Sequence, residues 1–364
     1  MSDFTLRRRA EWTPHRRVIL AWPGLEGILK DYPEMLAKAT QEVSTLAAAI
    51  GQFEPVTVVV GAERIEEAQA HFADVNTPFP IETRQFEGSE MDVWTRDFAP
   101  VFVIKEGPGS SRNVVGVDYN FNGWGDKYPT PTITEFAKKF LSEENYGWIE
   151  TSIVTEGGAL ETDGDGTLLV TESSIVNDNR NPGKSRQEIE DELIRTLGVE
   201  KVIWIPGRSG LDSTDCHIDA LARFARPGVI LVSKANEVKP TDWTVVYEET
   251  LEVLSSATDA KGRPFEIIEV EEPDEECFEP PPKGVKGVKG IEEERAVRSY
   301  VNYFLPIGGV ILPQFGDPAH DAAAIRVAQQ VFGEERMIYP VLIEQLPILG
   351  GGIHCATQEV PLFP

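Results

Sequence analysis

The sequence predicts an α/β fold, on three observations. Short β-branched runs alternate with helical apolar spacing from one end of the chain to the other, capping signals mark helix starts between them, and polar clusters follow the apolar runs. Residues 34–50 (EMLAKATQEVSTLAAAI) have helical spacing and stop at Gly51. PVTVVV at 55–60 is a β-branched run between Pro and Gly, which predicts a buried strand. Runs at 99–104 and 114–119 predict two more strands. Thr132-x-x-Glu135 then fits a capping box and predicts a helix starting at Thr132. A strand at 167–171, a second capping box at Ser185-x-x-Glu188 and a strand at 201–205 follow. Strands at 229–232, 265–270 and 309–312 and a helix over 318–332 complete the series. One stretch breaks the rhythm: 269–290 (EVEEPDEECFEPPPKGVKGVKG) has no periodicity and predicts an irregular surface loop.

The polar clusters fall at about 97, 156, 217, 317 and 355. Polar residues at the ends of several strands are how α/β scaffolds assemble one shared site. A single domain over residues 1–364, all of whose modules feed that site, therefore fits better than two.

The chain has 364 residues, 41% of them hydrophobic, enough for a large packed core. Its 60 acidic and 34 basic residues leave a net charge of −26. That field repels polyphosphate, which argues against nucleic acid or an anionic membrane as partner and favours small cations. Three cysteines, Cys216, Cys277 and Cys355, do not make a disulfide framework and suit a reducing compartment. The Arg7-Arg8-Arg9 run has no apolar segment behind it, and no stretch is apolar enough for a membrane span. The expectation is a cytoplasmic protein.

Four motifs carry candidate chemistry. WTRDFAP places Trp94, Arg96 and Asp97 before the strand APVFVI, and EGG places Glu156 before two glycines. DCHID puts His217 and Asp219 on one face if the segment is extended, and GGGIHC sets Cys355 after a glycine run. A metal site built from Cys216, His217, Asp219, His354 and Cys355 lacks the CxxC or HExxH spacing that presets zinc, so no metal is expected. Cys355 as nucleophile with His217 as acid and base fits better. Cys277, among acids that raise a thiol pKa, is a poor alternative. The surplus of carboxylates then points to a planar cation. A guanidinium presents five N–H donors that Asp97, Asp219 and Glu156 can pair, and its charge would favour the thiolate.

Together these motifs make the chain resemble the agmatine deiminases and their Porphyromonas-type peptidylarginine deiminase relatives. Ordered matches run from AEWTPHRRVILAWP through VDYNFNGWG, EGGALETDGDGTLLVTE, NRNP, HIDALARFARPG, SYVNYFLPIGG and PQFGDP to GGGIHCATQEVP. The resemblance implies a pentein fold, a five-bladed α/β propeller of ββαβ modules with pseudo-fivefold symmetry. It implies that Cys355 is the nucleophile and His217 the general acid and base. Asp97 and Asp219 would hold the guanidinium, with Glu156 assisting. It also implies a covalent thiouronium intermediate, a ureido product, a place in putrescine-forming polyamine metabolism, and no cofactor; a homodimer rests on analogy alone.

The departures lie around the substrate's far end. Agmatine deiminases typically carry an acidic residue before the Thr that leads to the HID motif, and Ser213 stands there here; GGGIHC also lacks their Asn. Asp212 is the candidate replacement, and Trp94 and Trp124 are candidate walls for the substrate tail. Arginine or a peptidyl-arginine is the alternative substrate, with Arg96, Arg180 and Arg208 as the arginines that could read a carboxylate. An amidinotransferase sharing the intermediate, or a non-catalytic polyamine-binding protein, are the remaining readings.

Overall fold

The computed structural model describes residues 4–26, 29–107, 112–236, 240–278 and 295–362. The strongest β-branched run, Val56–Gly61, is buried at every position, and Thr167–Thr171 and Gly309–Gln314 are likewise. Strands covered on both faces need helices on the outside, and the chain supplies one between each pair of parallel strands.

The described strands are β1 (Thr5–Arg7), β2 (His15–Ala21), β3 (Val56–Gly61), β4 (Ile81–Phe86), β5 (Val101–Glu106), β6 (Arg112–Asp118), β7 (Gly147–Glu150) and β8 (Glu161–Thr162). There follow β9 (Thr167–Thr171), β10 (Lys201–Ile205), β11 (Ala222–Arg226), β12 (Val229–Lys234), β13 (Glu266–Glu271), β14 (Gly309–Gln314), β15 (Met337–Leu342) and β16 (Gln358–Pro361). They form five sheets among the described residues: β16-β2-β3-β4, β1-β5-β6-β7, β8-β9-β10, β11-β12-β13 and β14-β15.

One unit recurs in all five. A first strand lies antiparallel to a second, a helix follows, and a third strand returns parallel to the second. The units are β5, β6, Phe136–Glu143, β7, then β8, β9, Arg186–Leu197, β10, then β11, β12, Asp242–Ser256, β13. In the fourth, the bridge Phe304↔Ile311 stands for the first strand, before Pro318–Phe332 and β15. The fifth joins the two ends of the chain. β16 pairs antiparallel with β2, which leads through Pro33–Ile50 to β3. Cys355 is thereby carried beside the N-terminal strands.

The Ser185 capping box forms, with Ser185 Oγ accepting from the Glu188 backbone and the Glu188 side chain accepting from the Ser185 backbone. The helix stops at Gly198, whose φ of +66° closes it in the left-handed conformation glycine adopts freely. The box expected at Thr132 does not form. Thr132 lies buried inside a short turn, Pro131–Thr134, that starts after Thr130 with no side-chain cap, and the helix proper begins at Phe136. Pro131 explains this, since its fixed φ suits the first helical position better than an N-cap at Thr132. The expected loop at 269–290 is shorter at its start, because Glu266–Glu271 pairs along β12; residues 279–294 lie outside the described residues. Among the described residues no helix is long and apolar enough to cross a membrane.

Candidate active site

In each unit, the segment entering the first strand contributes a polar side chain to one region. Asp97 lies on the turn Thr95–Phe98 before β5, and Glu156 precedes the turn Gly157–Ala159 that leads to β8. His217 and Asp219 precede β11, Asn302 precedes the Phe304 bridge, and Cys355 precedes β16. The fourth contribution is thus Asn302, not the cluster expected near 317. Asp317 instead caps its own helix, accepting from the Ala319 and His320 backbone.

The nucleophile candidate is held from two sides. Asn302 Nδ2 approaches Cys355 Sγ at 3.3 Å, and Sγ lies 3.5 Å from Asp219 Oδ2. Asp219 Oδ2 also receives His354 Nδ1 at 2.7 Å, and His354 Nε2 lies 2.9 Å from Glu11. His217 bridges two carboxylates, with Nε2 3.3 Å from Glu156 and Nδ1 3.6 Å from Asp97. It does so from the start of a 3-10 turn, Ile218–Ala220, so His217 and Asp219 are not neighbours on a strand face as expected. The strained residues Asp215 and Cys216, at φ +62° and +76°, deliver that turn.

Glycines let these groups converge. A methyl group at Gly158 would come within 2.6 Å of His217 Nδ1, 2.8 Å of Asp97 Oδ1 and 3.1 Å of Asp219 Oδ2. One at Gly351 would meet the Trp94 ring at 2.4 Å, which accounts for part of the glycine run before Cys355. Gly158→Ala should therefore lower kcat/KM by about 100-fold, through displacement of the imidazole and carboxylate. The same change should cost about 1–3 kcal/mol of stability as overpacking. Kinetics beside a denaturation curve would measure both, and near-normal kcat/KM would contradict the tight convergence.

The electrostatics separate the carboxylates. Burial pushes Asp97 up; the imidazole of His217 opposes this, the charges of Asp219 and Glu156 add to it, and the group reaches about 6. Trp124 Nε1 donates to its Oδ2 at 2.8 Å and Gly158 N to its Oδ1 at 3.1 Å. Burial also opposes charge on Glu156, but Arg180 and His217 outweigh it and hold that carboxyl below its ordinary value. At Asp219 burial is outweighed by the His354 hydrogen bond, and the group lies low. Burial works against a charged His217, yet Asp97 and Glu156 push it up to about 9. The Cys355 thiol is raised by burial and by the charges of Asp219 and Asp97, so the free protein holds a thiol. Two buried atoms, His217 Nδ1 and Asp219 Oδ1, have no hydrogen-bond partner.

Cys355, Asp97, Trp94 and Trp124 line a small recess of about 30 Å³, with Asp92, Tyr128, Ser213 and Thr214. Arg96 does not line it. It is fully buried, with Nη1 2.6 Å from Glu359 and Nη2 3.1 Å from Glu11, so it braces the network beneath the site. Asp212 does not line the recess either: its Oδ1 accepts from Thr214 N, Thr214 Oγ1 and Cys216 N, tying its own loop. Arg180 spends its donors on Glu156, Asp215, Asn179 and the Thr214 carbonyl, and Arg208 pairs with Glu249. Neither lines the recess or the cavity beside it. Sequence reasoning missed Asn302, Glu11 and Asp92, and weighed His354 only as a metal ligand. Asn302 and Glu11 sit within matched motifs, SYVNYFLPIGG and AEWTPHRRVILAWP, while Asp92 carried no pattern that separates it from other acids.

This chain matches the model of the Porphyromonas-type peptidyl-arginine deiminase family over residues 7–361. It is 36% identical over 368 residues to an agmatine deiminase of Medicago truncatula, covering 97% of this chain and 95% of the relative. An agmatine deiminase of Ectopseudomonas mendocina is also 36% identical, over 97% of this chain and 94% of its own. Among solved structures, the agmatine deiminase of Enterococcus faecalis superposes with a TM-score of 0.81 at 28% identity, over 98% of this chain and 96% of that one.

Proposed function

The chain belongs to the Porphyromonas-type peptidyl-arginine deiminase family, and from that premise we propose that it hydrolyses agmatine to N-carbamoylputrescine and ammonia. The observation that carries this reading is a cysteine sulfur 3.5 Å from a buried carboxylate, beside a second carboxylate that is itself coupled to an imidazole. Such a site needs a cation to become reactive. A guanidinium placed between Asp97 and Asp219 gives N–H donors to Asp219 Oδ1, which lacks a partner, and neutralises the charges that hold the thiol protonated.

The steps balance as follows. Cys355 gives up its proton to solvent as the cation arrives, and the thiolate adds to the guanidinium carbon, giving a tetrahedral adduct. His217, charged at neutral pH, protonates the departing nitrogen; the C–N bond breaks, ammonia leaves and a thiouronium forms on Sγ. The now neutral imidazole takes a proton from water, whose oxygen adds to the same carbon. The C–S bond then breaks, releasing the ureido product and returning the thiol. Asn302 Nδ2, 3.3 Å from Sγ, steadies the thiolate whenever it is free.

Among the described residues no arginine lines the recess to meet a substrate carboxylate. Lys127, near the mouth, already pairs with Asp215 Oδ2 at 2.8 Å and the Ser213 carbonyl at 2.9 Å. That favours agmatine over arginine. We further assign the five ββαβ units to a five-bladed propeller in a single catalytic domain, because each sends its entry segment to the same place. The cytoplasm suits its three unpaired thiols.

The test is ammonia and ureido release from agmatine, arginine and a peptide with terminal arginine. Agmatine should be preferred by about 100-fold or more, the cost of burying an unpaired carboxylate; preference for arginine would overturn the assignment. The pH profile of kcat/KM provides a second check. Asp97 must be ionised to hold the cation, so activity should rise through about 6. His217 must be protonated to release ammonia, so activity should fall through about 9.

A further inference from the structure

The recess at Cys355 adjoins a second, larger cavity. Asp92, Trp94, Tyr128 and Leu349 line both the recess and an adjoining chamber of about 260 Å³. Most of the exposed lining of that chamber is apolar, and Pro129, Thr130 and Ile133 contribute to its wall.

Three observations say what could fill it. Of the two carboxylates lining the recess, Asp97 is committed to Trp124, Gly158 and the reacting cation, which leaves Asp92. Asp92 takes one hydrogen bond, from the Val93 backbone N–H to Oδ1 at 2.6 Å. Burial, opposed by that bond and reinforced by the charge of Asp97, pushes it up to about 6, as expected of a carboxylate that lacks a counter-cation. Thr130 lines the chamber, and its Oγ1 is a buried atom with no hydrogen-bond partner. Glu90 adds a second carboxylate to the same lining. The nearby cation, Lys127, is already held by Asp215 and the Ser213 carbonyl.

We propose that Asp92 is the specificity carboxylate for the substrate's far nitrogen, and that the chamber beyond it takes an aminoalkyl group carried on that nitrogen. The substrate class is then a guanidinopolyamine: a guanidinium, a secondary ammonium against Asp92, and a further amine reaching Thr130 Oγ1 and Glu90. This rests on the reading of the recess as a guanidine hydrolase site and names its substrate more closely. The physical reason is complementarity. A chamber with apolar walls, an orphaned hydroxyl and two carboxylates binds methylene segments punctuated by cations, and rejects an anion.

The experiment compares kcat/KM for ammonia release from n-butylguanidine, agmatine and N-(3-aminopropyl)agmatine, extended from its far nitrogen. In the wild type the values should rise in that order. Asp92→Asn should reduce the ratio of agmatine to n-butylguanidine by roughly 10- to 100-fold, the range of a hydrogen bond to a charged group. Thr130→Val should reduce the ratio of the aminopropyl compound to agmatine by about 2- to 10-fold. Ratios compare two substrates on one preparation, so a partly folded variant does not distort them. The wild-type series needs no variant at all. If the aminopropyl compound is turned over tenfold more slowly than agmatine, the chamber assignment is overturned. If agmatine reacts but Asp92→Asn leaves its ratio to n-butylguanidine unchanged, Asp92 is not the far-end reader. If no guanidine releases ammonia, the hydrolase reading itself fails.

Discussion

Cys355→Ala should lower kcat by roughly 10⁴- to 10⁶-fold, the loss seen when a covalent nucleophile is removed from a working set of residues. The sulfur lies between Asn302 and Asp219, and no other cysteine lines the recess: Cys216 is buried in the loop before His217 and Cys277 is exposed on the turn Glu275–Cys277. No second thiol can substitute. The binding groups survive in the variant, so agmatine should still bind while failing to react. A second readout follows from the chemistry. Wild-type protein quenched with acid during turnover should carry a substrate-derived amidino adduct on Cys355, visible by mass spectrometry. Turnover that persists in Cys355→Ala would falsify the covalent route.

The largest effect on stability is expected at Glu11, well away from the reacting atoms in sequence. Its Oε1 accepts from Arg223 Nη2 at 3.0 Å and Leu305 N at 2.9 Å, and its Oε2 from Arg96 Nη2 at 3.1 Å. His354 Nε2 lies 2.9 Å from the same carboxylate. All of these partners' side chains are buried, and removing the charge would leave two guanidinium groups under-compensated in a region water does not reach. Glu11→Gln should cost about 3–5 kcal/mol, the usual result of breaking one partner out of a buried ionic set. Urea unfolding curves would measure it; a loss below about 1 kcal/mol would show the network to be dispensable. Burial opposes the Glu11 charge, but Arg223, His354 and Arg96 outweigh it and hold the carboxyl well below its ordinary value. A depressed carboxylate stabilises the fold above its unfolded pKa, about 4.3. That contribution is lost as pH falls through the lower folded value, and Glu11→Gln should remove this part of the acid dependence.

Glu11 also ties stability to the site. It contacts His354, which in turn pairs with the same oxygen of Asp219 that faces Cys355. The N-terminal segment and the C-terminal motif are thus parts of one charge relay, joined where β16 pairs with β2. A pairing of this kind leaves no local trace, since its members are separated by nearly the whole chain.

What the sequence determined alone was the α/β alternation and the positions of its strongest strands, because a buried strand or an amphipathic helix writes its period into adjacent residues. Val56–Gly61, Thr167–Thr171 and the Ser185 capping box are of that kind. The candidate groups Asp97, Glu156, His217, Asp219 and Cys355 were also legible, because each sits in a short motif at a segment end, and the structure brings them together. The misses were those decided by neighbours distant in sequence. Arg96 reads as a ligand-binding arginine until Glu359 and Glu11 are seen to enclose it, and Asp212 reads as a spare acid until its own loop is seen to use it. Asn302 and Asp92 are ordinary residues locally, and only the closure of the chain sets one beside a sulfur and the other at the seam between two cavities. Periodicity and capping act over a few residues and are legible in the chain itself. Which buried charge meets which partner depends on packing across it, and only the folded structure decides that.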